Sequence, residues 1–251
     1  MRQLYNINGS YASTEKKWLD KYFIGINIFS AIVIILVCVY YIVGHNWLWA
    51  IFSLLTLSLF ALKNKYYKKF IKELASLKRG ISGEDIVAKS LEDSKFFGND
   101  YWYIRNYTNK AACYGDIDGI LLGPRGMFLL EVKNWQGSFR VSGTDMYRHI
   151  SKYLYKLYKS PINQLADNQE RVLRYLESRG VNSINLRSFV VLVGGRPESF
   201  HGSTGVYVTT TDEIAYKIFT SPDHHFSTDQ INKILEALKL EITGDTYSLK
   251  I

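Results

Sequence analysis

The chain has 251 residues, 47% of them apolar and 22% charged, a balance that excludes a wholly disordered polypeptide and leaves room for one sizeable core or two small ones. Its formal net charge of +8 is unevenly spread: residues 1–80 hold 11 Lys and Arg against 3 Asp and Glu, whereas residues 81–251 hold 20 of each. The excess charge belongs to the first third, and the two cysteines, Cys38 and Cys113, have no spacing suited to a disulfide framework or a zinc finger.

Residues 23–43 are 21 residues without a charge, rich in Ile, Val, Phe and Leu. As a helix they would extend about 31 Å, the thickness of a bilayer's hydrocarbon core. The run is too long and starts too late for a signal peptide. Residues 47–62 form a second uncharged run of 16, about 24 Å as a helix and extendable by snorkelling of the lysines that follow. Only Gly44, His45 and Asn46 separate the two, which predicts a two-helix transmembrane hairpin. Trp47, Trp49, Tyr40 and Tyr41 fit an aromatic belt where the turn meets the outer interface. Lys16, Lys17 and Lys21 precede the first run, Lys63, Lys65, Lys68, Lys69 and Lys72 follow the second, and the turn has none. The positive-inside rule then expects both termini in the cytoplasm, in a multi-pass protein of a bacterial inner or cell membrane with the lipid bilayer as a partner. Residues 63–79 keep helical spacing among the lysines and read as a basic juxtamembrane helix against anionic headgroups. The expected organisation is a cytoplasmic segment (1–22), the hairpin (23–62), that helix (63–79), and an α/β domain (80–251).

Within the last segment a helix is expected over 82–97 with Ser82 as N-cap, then a strand over 101–107. Strands over 116–122 and 127–134 flank the turn Gly123-Pro124-Arg125-Gly126, and a short strand follows at 138–141. A long helix begins at Pro161 and stops at Gly180. The apolar run 189–193 reads as a strand buried on both faces, followed by a strand at 206–209 and helices at 212–219 and 228–240. Neither a phosphate-binding glycine loop nor a Gly-x-Ser-x-Gly elbow is present, so the chemistry must lie among the carboxylates.

Asp118, Glu131 and Lys133 are the charges inside two otherwise apolar strands, and charges there demand a reason. With a strand period of two, Glu131 and Lys133 share a face. A two-residue turn that pairs Gly123 with Gly126 sets Asp118 directly opposite Glu131, with Cβ atoms roughly 5 Å apart. Two carboxylates so opposed repel unless a cation sits between them, and Mg2+ is commonly held by one or two carboxylates plus phosphate oxygens. Asp116 shares the face of Asp118 and is a second candidate ligand. The alternative is an ion cluster at a sheet edge in which Lys133 merely neutralises both acids.

The stretches Gly-Ile-Ser-Gly-Glu at 80–84, Asp-Ile-Asp-Gly-Ile-Leu-Leu-Gly-Pro-Arg-Gly-Met-Phe-Leu-Leu-Glu-Val-Lys-Asn-Trp-Gln-Gly at 116–137 and Ser-Pro-Ile-Asn-Gln at 160–164 resemble the nuclease-related domain, NERD, a relative of the PD-(D/E)xK nucleases. The resemblance covers about residues 80–195. It implies a restriction endonuclease-like core, a mixed sheet flanked by helices, here preceded by the transmembrane hairpin. It implies Asp118 and Glu131 as ligands of Mg2+ or Mn2+, Lys133 as the catalytic lysine, Glu84 as the acid of the first helix and Gln164 as the glutamine beside the site. Ile117 stands where the eponymous motif has proline.

From 140 to 179 there are eight basic residues against four acids, interleaved with Tyr147, Tyr153, Tyr155 and Tyr158. Phosphate contact and base stacking use this combination, as do solvated helix faces. Arg140, Arg148, Lys152 and Lys156 are the candidate nucleic-acid contacts. The function expected is a membrane-anchored, cytoplasm-facing, metal-dependent nuclease, with DNA favoured over RNA as partner. The runner-up is a catalytically silent nuclease-like module that binds nucleic acid or protein at the membrane.

Overall fold

The computed structural model describes residues 1–6, 21, 24, 25, 27, 28, 30–32, 34, 35, 48–201, 205–221, 225–238, 240–243 and 246–249. The chain divides into two compact units, one of Met1–Tyr11 with Gly80–Ile251 and the other of Ala12–Arg79.

In the second unit, the described residues of the run 23–43 are helical, and Ile24, Ile28, Ile32, Ile34 and Ile35 are between 50 and 60% exposed. The remainder of that run and the turn at 44–46 lie outside the described residues. The run 47–62 falls almost wholly on helix α1 (Leu48–Asp93). Among the described residues no helix is long and apolar enough to cross a membrane.

The expected helix start at Ser82 is not observed, because α1 runs unbroken through Gly80, Ser82 and Gly83. A Ser followed by acids suits a first turn, but a helical turn already precedes it here. The carbonyls of that turn satisfy the N–H groups that a cap would have served.

In the first unit, strands β1 (Arg2–Asn6), β2 (Trp102–Tyr107), β3 (Ile117–Gly123), β4 (Gly126–Lys133), β5 (Gly137–Ser142), β6 (Asp145–Ile150) and β7 (Tyr153–Lys156) come before helix α2 (Pro161–Ser178). After it follow β8 (Leu186–Leu192), β9 (Gly195–His201), β10 (Val206–Thr210), α3 (Ile214–Phe219), α4 (Thr228–Ala237), β11 (Leu240–Thr243) and β12 (Thr246–Leu249). They form a mixed eight-stranded sheet in the order β10-β8-β4-β3-β2-β1-β12-β11 and a four-stranded sheet in the order β7-β6-β5-β9. The β3–β4 hairpin has the register expected of its turn, from Gly123 opposite Gly126 to Gly119 opposite Leu130. Strand β8 lies parallel to β4 on one side and β10 on the other, which explains its unbroken apolar run.

Alternation along β4 and β8 divides the interior into two cores. Met127, Leu129, Val190 and Leu192 join α2 (Ile162, Leu165, Val172, Leu176) and α4 (Ile231, Ile234, Leu235) on one face of the sheet. Phe128, Leu130, Val132, Phe189 and Val191 join Val87, Ala88 and Leu91 of α1 and Ile214 and Ile218 of α3 on the other. By parity, Asp118, Glu131 and Lys133 belong to the α2 face, at the end of the hairpin where its apolar residues run out.

Candidate active site

Glu131 is 1% exposed on β4, flanked by β3 and β8. Its Oε1 accepts from the Lys133 Nζ at 2.5 Å, while Oε2 is buried with no hydrogen-bond partner. Asp118 on β3 accepts the Val132 N–H on its Oδ2 at 2.6 Å. Backbone pairing of β3 with β4 ends at Gly119–Leu130, and the carboxylate takes up the next amide of the partner strand. Gly119 makes room for this end of the hairpin, since a Cβ there would stand 2.5 Å from the Tyr103 hydroxyl.

Burial, and then the charge of Glu131, push the Asp118 carboxyl well above the ordinary aspartate value, against the pull of Lys133. Burial also raises Glu131, opposed by Lys133 and by the side chain of Gln164. Burial works against the Lys133 ammonium, but Glu131 and Asp118 overcome it and hold its pKa above the usual lysine value. Two acids thus share one lysine, and their negative charge is incompletely compensated.

Helix α1 supplies Glu84. It reaches the sheet because Gly83 lets the helix approach closely, a Cβ there meeting the Asn134 Cβ at 3.0 Å and the Val132 Cγ1 at 3.4 Å. Glu84 is buried and its pKa is pushed up to about 7, chiefly by desolvation, with Arg105 opposing and Asp116 adding to the rise. Arg105 on β2 is itself buried and donates to Asp85 at 2.5 Å. Asp116 stands close enough to raise Glu84, Glu131 and Lys133 together.

Helix α2 opens at Ser160, whose hydroxyl accepts the Ile162 N–H and donates to the Thr144 carbonyl. Gln164, exposed in its first turns, sits beside Glu131 without closing a hydrogen bond on Oε2. One turn further, Asn168 is fully buried and its Oδ1 accepts the Tyr114 N–H at 2.8 Å. Arg171 then donates to the Lys110 carbonyl at 3.0 Å and lies 3.7 Å over the Tyr114 ring. This stripe of α2 fixes the segment that leads into Asp118. Sequence reasoning missed Asn168 and Arg105. The four-residue spacing from Gln164 to Asn168 on a helix was the available signal for the first; a charge in a loosely alternating aromatic strand was the signal for the second.

Of the candidate nucleic-acid contacts, Arg140, Arg148 and Lys156 fall on strands of the four-stranded sheet and Lys152 on the turn between β6 and β7. Arg148 donates to the Gln136 carbonyl at 2.8 Å, and Lys156 pairs with Asp145 at 2.6 Å. Arg140 and Lys152 are exposed. Cys113 is buried, and desolvation raises its thiol pKa.

Among the described residues no group of three His, Cys, Asp and Glu is arranged to hold a metal ion. The donors available are the carboxylates of Asp118 and Glu131, and the orphaned Oε2 with its uncompensated charge fits a hard divalent cation that completes its shell with water and substrate oxygens.

A mixed α/β sheet that concentrates two acids and a lysine on one hairpin, with an acid and a glutamine brought in by flanking helices, has the make-up of a nuclease-type domain. Residues 79–193 match the family model described as nuclease-related domain, NERD. No curated protein and no solved structure matches the chain.

Proposed function

We propose that the chain is a membrane-anchored, cytoplasm-facing nuclease of restriction endonuclease-like fold that hydrolyses nucleic-acid phosphodiester bonds with Mg2+ or Mn2+. The observation that carries this reading is the buried Glu131 Oε2, without a hydrogen-bond partner, beside an Asp118 carboxyl that Glu131 itself destabilises. A divalent cation held by Asp118 and Glu131 would supply charge to polarise the phosphodiester and make a water more acidic. Lys133, kept protonated by both acids, offsets negative charge as it develops on the phosphate oxygens. Gln164 favours the ionised form of Glu131, and Glu84, which changes protonation near neutrality, holds or releases a proton at the margin of the site.

Support for the anchor comes from the exposed isoleucines at 24, 28, 32, 34 and 35, an apolar surface that suits lipid better than water. Strand β1 supports the even number of crossings, because the chain leaves the first unit after Tyr11 and rejoins it at Gly80. A segment that departs from a domain and returns to it must begin and end on one side of a bilayer. Reporters fused at Met1 and after Ile251 should both read as cytoplasmic, and an external C-terminus overturns the hairpin.

The nuclease reading is tested with purified full-length protein on a panel of DNA and RNA. Cleavage should vanish with EDTA and fall about a hundredfold or more in Glu131→Ala and Lys133→Ala. Activity undiminished in both variants sinks the assignment. Binding of nucleic acid without cleavage by the parent protein assigns a silent module instead.

A further inference from the structure

The outer edge of the four-stranded sheet exposes aromatic surface that the interior of the protein does not use. Among the described residues strand β7 is that edge, paired with β6 alone. Tyr153 is 68% exposed, Tyr155 51% and, just beyond the strand, Tyr158 98%. In the register Ile150 lies opposite Tyr153 and Arg148 opposite Tyr155, so the two tyrosines and the arginine occupy one face. The tyrosine rings stand 6.4 Å apart, at a steep angle to each other.

The charge on this edge is of one sign. Residues 147–159 contain Arg148, Lys152, Lys156 and Lys159 and no Asp or Glu. The acids that reach it are Asp145, which engages Lys156, and Glu198, which lies 3.2 Å from His149. Lys152 and Lys159 extend the positive field on either side of the tyrosines.

The edge also leads to the candidate active site by a short and well-fixed path. Leu157 donates its N–H to the Met146 carbonyl, and Ser160 joins Thr144 to the start of α2. Gln164 follows four residues later, beside Glu131.

We propose that β7 with Tyr158 is a stacking platform for single-stranded nucleic acid, delivering the strand to the hairpin that bears Asp118 and Glu131; the delivery step rests on the nuclease reading, the binding step does not. Aromatic rings accept any base on its π-face, and flanking lysines follow the backbone without reading sequence. A duplex keeps its base faces inside the stack, so tyrosines of this kind discriminate in favour of unpaired strand.

The test is fluorescence anisotropy of the full-length chain, in EDTA, with a labelled oligothymidylate and with a blunt duplex of the same length. The single strand should bind more tightly and with strong salt dependence. The double variant Tyr153→Ala with Tyr155→Ala should bind it about tenfold more weakly or worse. Tyr153→Phe with Tyr155→Phe, which keeps the rings, should bind as the parent does. Equal affinity for the duplex, or an alanine variant indistinguishable from the parent, overturns the proposal. So does a change in self-association by sedimentation with no change in affinity, which would make the edge a contact between copies of the chain. Tyrosine-dependent binding in EDTA, with no cleavage of the same strand once Mg2+ or Mn2+ is supplied, upholds the platform and removes the nuclease reading; metal-dependent cleavage of single strands that is indifferent to the tyrosines does the reverse.

Discussion

The carboxylate of Asp118 is hydrogen-bonded to the backbone N–H of Val132, the residue between Glu131 and Lys133. The strand that presents the second acid therefore fixes the first, and the two cannot drift apart to relieve their repulsion. Asp118→Asn keeps an oxygen for that N–H and removes one charge. It should raise stability at neutral pH by on the order of 1 kcal/mol while abolishing cleavage. Asp118→Ala leaves the amide without its partner and should lose about 1–3 kcal/mol. Urea unfolding of both variants, with cleavage assays alongside, checks the opposite signs.

Glu84 gives a pH dependence whose sign is set by its elevated pKa. Its folded value is about 7 against an ordinary 4.5, so the folded state holds the proton more tightly than the unfolded state. The resulting stabilisation is complete below the ordinary value and is lost as pH rises through about 7. The difference amounts to roughly 3 kcal/mol across that window. Glu84→Gln should flatten the curve. Denaturant midpoints near pH ~5 and pH ~8 test this: the variant's stability relative to the parent must be higher at the alkaline point.

Two glycines of α1, three residues apart, should respond in opposite ways. A Cβ added at Gly80 would meet nothing within 4 Å, so Gly80→Ala should gain about 0.5–1 kcal/mol from helix propensity alone. Gly83 faces Asn134 and Val132 at contact distance, so Gly83→Leu should cost about 1–3 kcal/mol and push Glu84 away from the sheet. Thermal melts distinguish the two, and similar shifts for both would refute the close approach.

Asn168 acts on the site through the segment it clamps. Asn168→Ala deprives the Tyr114 N–H of its acceptor and should destabilise the protein by about 1–3 kcal/mol. Hydrogen exchange at the Tyr114 amide should accelerate, with kcat reduced more than KM is changed. Asn168→Asp, which retains the accepting oxygen, should restore slow exchange at that amide.

The hairpin and its three charges were legible in the sequence because charges in apolar strands and a glycine-bounded turn are local signals. Gln164 was legible only through resemblance: a glutamine in an exposed first turn has no physical signature of its own. Asn168 and Arg105 left only weak local signals, a four-residue helical spacing and a lone charge in an aromatic strand, because polar residues there read as solvated until their neighbours are known. Strands β6 and β7 have little apolar alternation to detect, and β9 carries Pro197, which cannot donate to a ladder and masks a strand in the sequence. The long extension of α1 through Ser82 shows that a capping pattern marks where a helix is able to start, not where it does.

Strand β1 bears on the order in which the molecule is made. It precedes the other strands in the sequence, yet its neighbours are β2 and β12, so its pairing waits on synthesis of the 12–79 segment and of both partner strands. For a bilayer-inserted segment, the sheet closes only after that segment has returned to the side where translation began. Under the proposed anchoring, a chain inserted with the wrong number of crossings would leave β1 across the membrane from the sheet that needs it, and the fold would stay incomplete.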